Sequence, residues 1–157
     1  MRSINLFLRN IPALFFSWSV SRYVLFLFIT LVLPYPEGKW LKGDVDLYNF
    51  WAKGLVKGIF PIDDQMWQYP PLAAVVFLAG YLIAGNTVGF VYLATIADLA
   101  IFSLLMRRGR EQRNSNPALI WMIAPLVMGP IILGRFDVFV TLAAVIALLY
   151  VQQNRKF

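Results

Sequence analysis

The chain contains no cysteine and no histidine. The first absence excludes disulfides, thiolate nucleophiles and sulfur metal ligands. The second removes the imidazole base and His-ligated metals. Proton transfer would therefore fall to Asp, Glu, Tyr or Lys, and a bound metal would be a hard cation held through oxygen. Charge is also scarce. Of 157 residues, 14% are charged and 60% are apolar, against about 25% and about 45–50% in ordinary globular chains. The net charge of +6 gathers near the ends of apolar segments. There it reports membrane topology and contact with anionic lipid, and no nucleic-acid partner is expected. Neither an internal repeat nor a low-complexity tract is present.

What the chain does have is long apolar runs. A bilayer core of about 30 Å needs about 20 mostly apolar residues per helix. The expectation is an all-α integral membrane protein, multi-pass in the cell (plasma) membrane. Residues 1–157 read as a single helical membrane domain. About five hydrophobic helices make four or five crossings, and one amphipathic interfacial helix accompanies them. Residues 1–10, with Arg2 and Arg9, read as a short cytoplasmic leader and not as a cleavable signal, since no small-residue cleavage site follows the apolar run. The first span covers 11–33 and ends at Pro34 and Pro36. Apolar segments follow at 70–84, 87–106, 117–133 and 138–151, and Arg155 and Lys156 close the chain. A basic loop is expected at 107–116, and Pro125 and Pro130 are expected to bend the segment around them. Two topologies remain open. If 70–84 and 87–106 both cross, the basic loop lies outside, against the positive-inside rule. If 70–84 is a re-entrant half-segment, that loop lies inside and Arg135-Phe136-Asp137 returns to the outer face near Asp44.

Between the first two apolar segments lies GDVDLYNFWAKGLVKGIFPIDDQMWQYPP, residues 43–71, with four of the eight acids: Asp44, Asp46, Asp63 and Asp64. Residues 44–58 have helical periodicity, with Leu47, Phe50, Trp51, Gly54 and Leu55 on one face and Asn49, Lys53 and Lys57 on the other. Such a helix suits the interface plane. Asp44 is its expected N-cap, Asp46 a first-turn acid, and Gly58 its stop. Asp63 and Asp64 suit capping of the turn at Pro61. Tyr69-Pro70-Pro71 turns the chain back into the membrane, with Tyr69 at headgroup level. Asp98 is ionisable inside a span, and Arg22 is its natural partner by type. Arg135 and Asp137 flank a helix break and suit either a local ion pair or, for Arg135, phosphate binding.

The order Asp44-x-x-x-Tyr48-x-x-x-Ala52, Gly58-x-x-Pro61, Asp64, Tyr69-Pro70-Pro71-Leu72 resembles the first extracytoplasmic loop of GT-C glycosyltransferases. Among these it is most similar to the polyprenyl-phosphate-mannose-dependent α-mannosyltransferases. Arg22 with Leu25, Asp98, and Arg135-Phe136-Asp137 extend the resemblance along the chain in order. Ile62 and Gln68 stand where such enzymes often have an aromatic and an acid. The resemblance implies transfer of a sugar, mannose for that family, from a polyprenyl-phosphate donor to a lipid or glycan acceptor at the extracytoplasmic face. By the same resemblance Asp44 is the catalytic base, and Asp46, Asp64, Tyr69, Arg135 and Asp137 support it or bind substrate. Arg22 and Asp98 are the intramembrane polar pair. A divalent cation, if one binds, would sit on Asp44 and Asp46. Family members are usually more than twice as long, so the resemblance implies that residues 1–157 are the N-terminal part of such a fold. Expected partners are membrane lipids, the lipid-linked sugar, and a C-terminal half or another membrane subunit. Two rival readings are a non-catalytic truncated or split subunit and a small transporter component using Asp98 and Arg22.

Overall fold

The computed structural model describes residues 2–154, with side chains described for 11–152. Arg155 and Lys156 lie outside the described residues. Seven helices follow one another: α1 (Arg2–Ile29), α2 (Gly38–Val56), α3 (Ala73–Ala84), α4 (Thr87–Gln112), α5 (Asn116–Met128), α6 (Ile131–Gly134) and α7 (Asp137–Asn154). No strand occurs among the described residues, as an all-α reading requires. Two stretches, Ile11–Ile29 within α1 and all of α4, are long and apolar enough to cross a membrane. The apolar helices α3, α5 and α7 are shorter.

Several boundaries differ from expectation for local reasons. The 2–10 leader is helical and continuous with α1. That helix stops at Ile29, before the prolines. The Thr30 hydroxyl bonds back to the Phe26 carbonyl at 2.7 Å, and Leu31 takes a positive φ of 60°. Helix α2 starts six residues before Asp44, because Gly43 does not break it. Its open end is Glu37, at φ 57°. Asp44 is therefore not an N-cap and Asp46 is not in the first turn. The buried stripe of α2 is Val45, Tyr48, Trp51 and Ala52, while Phe50 is exposed. Helix α4 runs on through Arg107–Gln112, so most of the expected basic loop is its last turns, closed by Arg113 in the left-handed region. The expected 117–133 segment is split at Gly129 and Pro130 into α5 and α6.

Side-chain pairs set the helix directions. Trp18 stacks on Phe102, Arg22 meets Asp98, and Phe26 packs on Tyr92. Ascending α1 thus descends α4, and the two are antiparallel. Trp121 reaches Asp98 from α5, and Phe139 packs on Phe90 from α7. Helices α3 and α4 form a tight hairpin. Asn86 caps α4 by accepting from the Val88 amide at 2.8 Å, and Gly85 turns with φ 67°. A Cβ on Gly80 would lie 3.0 Å from the Phe90 Cα, and one on Gly89 would overlap the Gly80 carbonyl oxygen. Phe90 and Arg108 are eighteen residues apart on α4, roughly 27 Å along a helix axis at 1.5 Å per residue. The acidic segment and the arginines therefore occupy opposite ends of the bundle.

Candidate functional site

Two polar clusters are built into this frame. The first is at the α4 N-terminal end. Asp44, Tyr48 and Trp51 share one stripe of α2 by i, i+4, i+7 spacing. Asp44 Oδ2 accepts from Arg135 Nη1, and Asp137 lies 3.9 Å from Arg135 Nε. The Tyr48 and Tyr69 hydroxyls are 2.7 Å apart. Burial first, and the Tyr69 hydroxyl second, push the Tyr48 phenol well up, so it stays protonated at physiological pH. The Asp44 bond raises Arg135 further above its already high value. Asp44, Tyr48, Tyr69 and Arg135 thus converge, with about a third of the Asp44 side chain exposed (32%).

Beneath them lies an aromatic floor. Tyr48 stacks on Phe77 with centroids 4.3 Å apart, and Tyr69 meets Phe77 and Phe136 edge-on at 5.5 Å. Pairs of this kind contribute about 0.5–1.5 kcal/mol each beyond area burial. They fix the 59–72 segment over α2 and α3. Asp64 serves that purpose, accepting from the Trp51 indole at 2.7 Å and the Met66 amide at 2.9 Å. The Trp51 bond is the larger cause that holds its carboxyl below the ordinary aspartate range. Asp64 is thus a turn and anchor residue at the edge of the cluster, and the turn it caps is the one that follows it, at Met66, not the expected one at Pro61.

Asp46 does not join Asp44. Two residues on a helix are about 200° apart around its axis, and Asp46 pairs instead with Lys42 on the exposed face. The two carboxylates diverge, each with its own cation. They do not fit a shared divalent ion, and no group of three or more acidic ligands gathers among the described residues. Neither family models nor curated proteins nor solved structures give a match to this chain.

Next to Arg135 and Asp137 opens a cavity of about 380 Å³ between α5, α6 and α7. Its walls are apolar, including Trp121, Pro125, Met128, Ile132 and Val138, and the Arg135–Asp137 pair stands at one end. The sequence places Arg135 near Asp44 only in one of two topologies. It does not reveal the cavity or the Tyr48–Tyr69 pair. The i, i+4 relation of Asp44 and Tyr48 was the available signal.

The second cluster is sealed in the bundle. Asp98 and Arg22 are 0% and 1% exposed. Asp98 accepts from the Trp18 indole, Arg22 Nε and the Trp121 indole, each at 2.8 Å. Arg22 also donates to the Trp121 and Met122 carbonyls at 2.8 Å and to the Ser21 hydroxyl at 3.1 Å. The Trp121 carbonyl is the one that Pro125, lacking an N–H, leaves without a helical donor. Arg22 supplies the missing donor from α1. The expected Arg22–Asp98 contact is present, and it works as a three-helix clasp. The residues of a transport route need open positions, and this pair's hydrogen-bonding atoms are occupied.

Proposed function

We propose that this chain is a membrane glycosyltransferase, or the N-terminal portion of one, of the GT-C kind. On this reading it acts on a polyprenyl-phosphate-linked sugar, mannose by resemblance, at the extracytoplasmic face. The observation that carries the reading is the meeting of Asp44, Tyr48, Tyr69 and Arg135 beside an apolar cavity at one end of the bundle. A lipid-phosphate sugar needs an apolar slot for its chain, a cation for its phosphate, and polar and aromatic groups for its sugar. Those three requirements correspond to the α5–α7 cavity, Arg135, and the Tyr69 and Trp67 rings.

In the reaction, an acceptor hydroxyl oxygen forms a bond to the anomeric carbon as that carbon's bond to the phosphate oxygen breaks. The acceptor proton passes to Asp44, and the departing phosphate keeps the electron pair against Arg135. Asp44 and Arg135 neutralise each other before substrate arrives. A donor phosphate that draws Arg135 away frees Asp44 to take the proton, so donor binding would arm the base. In the bilayer, α1, α4, α5 and α7 cross. Helices α2 and α3 stay at the outer end, with exposed Trp40 and Phe50 of α2 in the headgroups. The N-terminus and Arg107–Arg113 face the cytoplasm, as the positive-inside rule favours.

The test is transfer of labelled sugar from a polyprenyl-phosphate donor in reconstituted membranes. Asp44→Asn should lower transfer about 10²- to 10⁴-fold, the usual contribution of a general base, while retaining the donor. Arg135→Gln should lose donor retention as well. Unchanged transfer by Asp44→Asn would sink the base assignment. Donor retention by the parent chain with no transfer at all would point to a non-catalytic subunit.

A further inference from the structure

The arginines at the far end of α4 are not used by this chemistry. Arg107, Arg108, Arg110 and Arg113 stand within seven residues, with Glu111 as the one acid among them. Glu111 pairs with Arg108 at 2.9 Å and Arg107 at 3.6 Å, leaving a clear positive excess. Two crevices open there between α4 and α7, about 240 and about 190 Å³ in volume. Both are lined by Arg108 and Leu149, so these two side chains form the ridge between them. The remaining walls are largely apolar, with Leu104, Ile146 and Tyr150 on one side and Leu105, Val145 and Leu148 on the other. The Arg108 side chain is only 25% exposed. Its guanidinium is therefore held over the ridge and is not free in solvent.

We propose that this end of the bundle is a binding site for an anionic diacyl phospholipid. Its phosphate sits against Arg108 and Arg107, and its two acyl chains straddle Leu149, one in each crevice. Guanidinium matches a phosphate in two-point geometry, and two adjacent, largely apolar slots that share a ridge match a two-chain lipid. A neutral lipid or a free phosphate would satisfy one half of the site. The inference rests on the bundle lying in a bilayer, and it does not depend on sugar transfer.

The experiment is native mass spectrometry of the full chain released from detergent, titrated with phosphatidylglycerol or phosphatidylcholine of equal chain length. Phosphatidylglycerol should bind preferentially. Arg108→Gln should weaken it about fivefold, in line with the contribution of one basic residue near an anionic headgroup. The exposed Arg113→Gln should change it by less. Leu149→Trp fills the ridge without altering charge and should also weaken binding, which keeps the test open if Arg108→Gln does not fold. Equal binding of the two lipids would overturn the proposal, as would an equal loss from Arg113→Gln and Arg108→Gln, which would mark diffuse attraction. A chain that stays monomeric in water without detergent would instead overturn the membrane reading itself.

Discussion

Arg22 does two jobs with one guanidinium. It neutralises Asp98, and it donates to the Trp121 carbonyl that Pro125 strands and to its neighbour at Met122. Breaking one member of a buried pair is strongly destabilising, because the other charge stays behind. Arg22→Met should therefore cost about 3–5 kcal/mol of stability, read from denaturant unfolding followed by circular dichroism. Arg22→Met with Asp98→Leu should recover only part of that, since the Trp18 and Trp121 indoles and the Trp121 carbonyl would still lack partners. A full recovery would show that the clasp is only an ion pair. Asp64 is the opposite case, a carboxylate at the loop surface. Its folded value lies below the unfolded one of about 3.9. Its contribution is thus present above that pH and lost as pH falls through the folded value. Near-UV dichroism from Trp51 and Trp67 should hold from pH 7 to about pH 4 and fade below it. Asp64→Asn should remove that transition, and its persistence in the variant would assign it to another acid.

At the scale of single elements, glycines separate packing from propensity. Gly89→Ala would drive a methyl into the Gly80 carbonyl, and it should destabilise the α3–α4 hairpin by about 1–3 kcal/mol, as overpacking does. Gly43 lies inside α2 with nothing near its missing Cβ. Gly43→Ala should stabilise by up to about 1 kcal/mol, the helix-propensity difference. Thermal unfolding of both variants reads these signs, and a stabilising Gly89→Ala would contradict the close contact. Helix existence was legible in the sequence because long apolar runs leave few alternatives. The ends of α2 were not. Gly43 looks like a breaker, yet Leu41 and Val45 pack on either side of it against the core, and tertiary contact outweighs its propensity. The buried face was misjudged in the same way. Phe50 and Trp51 are equally apolar, and only the neighbours Phe77 and Trp67 decide that Trp51 turns inward. The Arg22–Asp98 pair was legible, since an ion inside a span must find its opposite.

For the whole molecule, the antiparallel run of α1 and α4 puts the Asp44–Arg135 cluster and the arginine-rich end about a bilayer core apart. The absence of cysteine makes this easy to test, since any introduced thiol is the sole label site. Asp63→Cys should react with an impermeant maleimide from outside intact cells. Arg113→Cys should react only after permeabilisation. The reverse pattern would invert the topology, and equal labelling would remove it. On the proposed topology, in which α5 crosses the bilayer, the clasp also bears on how the chain comes to be embedded. As α5 emerges during synthesis it is thirteen residues long, with a proline that leaves the Trp121 carbonyl without a helical donor. Such a segment is a poor guest for hydrocarbon by itself, where each stranded carbonyl costs several kcal/mol. Its donor lies on α1 and its indole acceptor on α4, both made before it. Partitioning of α5 into lipid should thus await those two helices, so the order of translation matches the order in which the bundle can close.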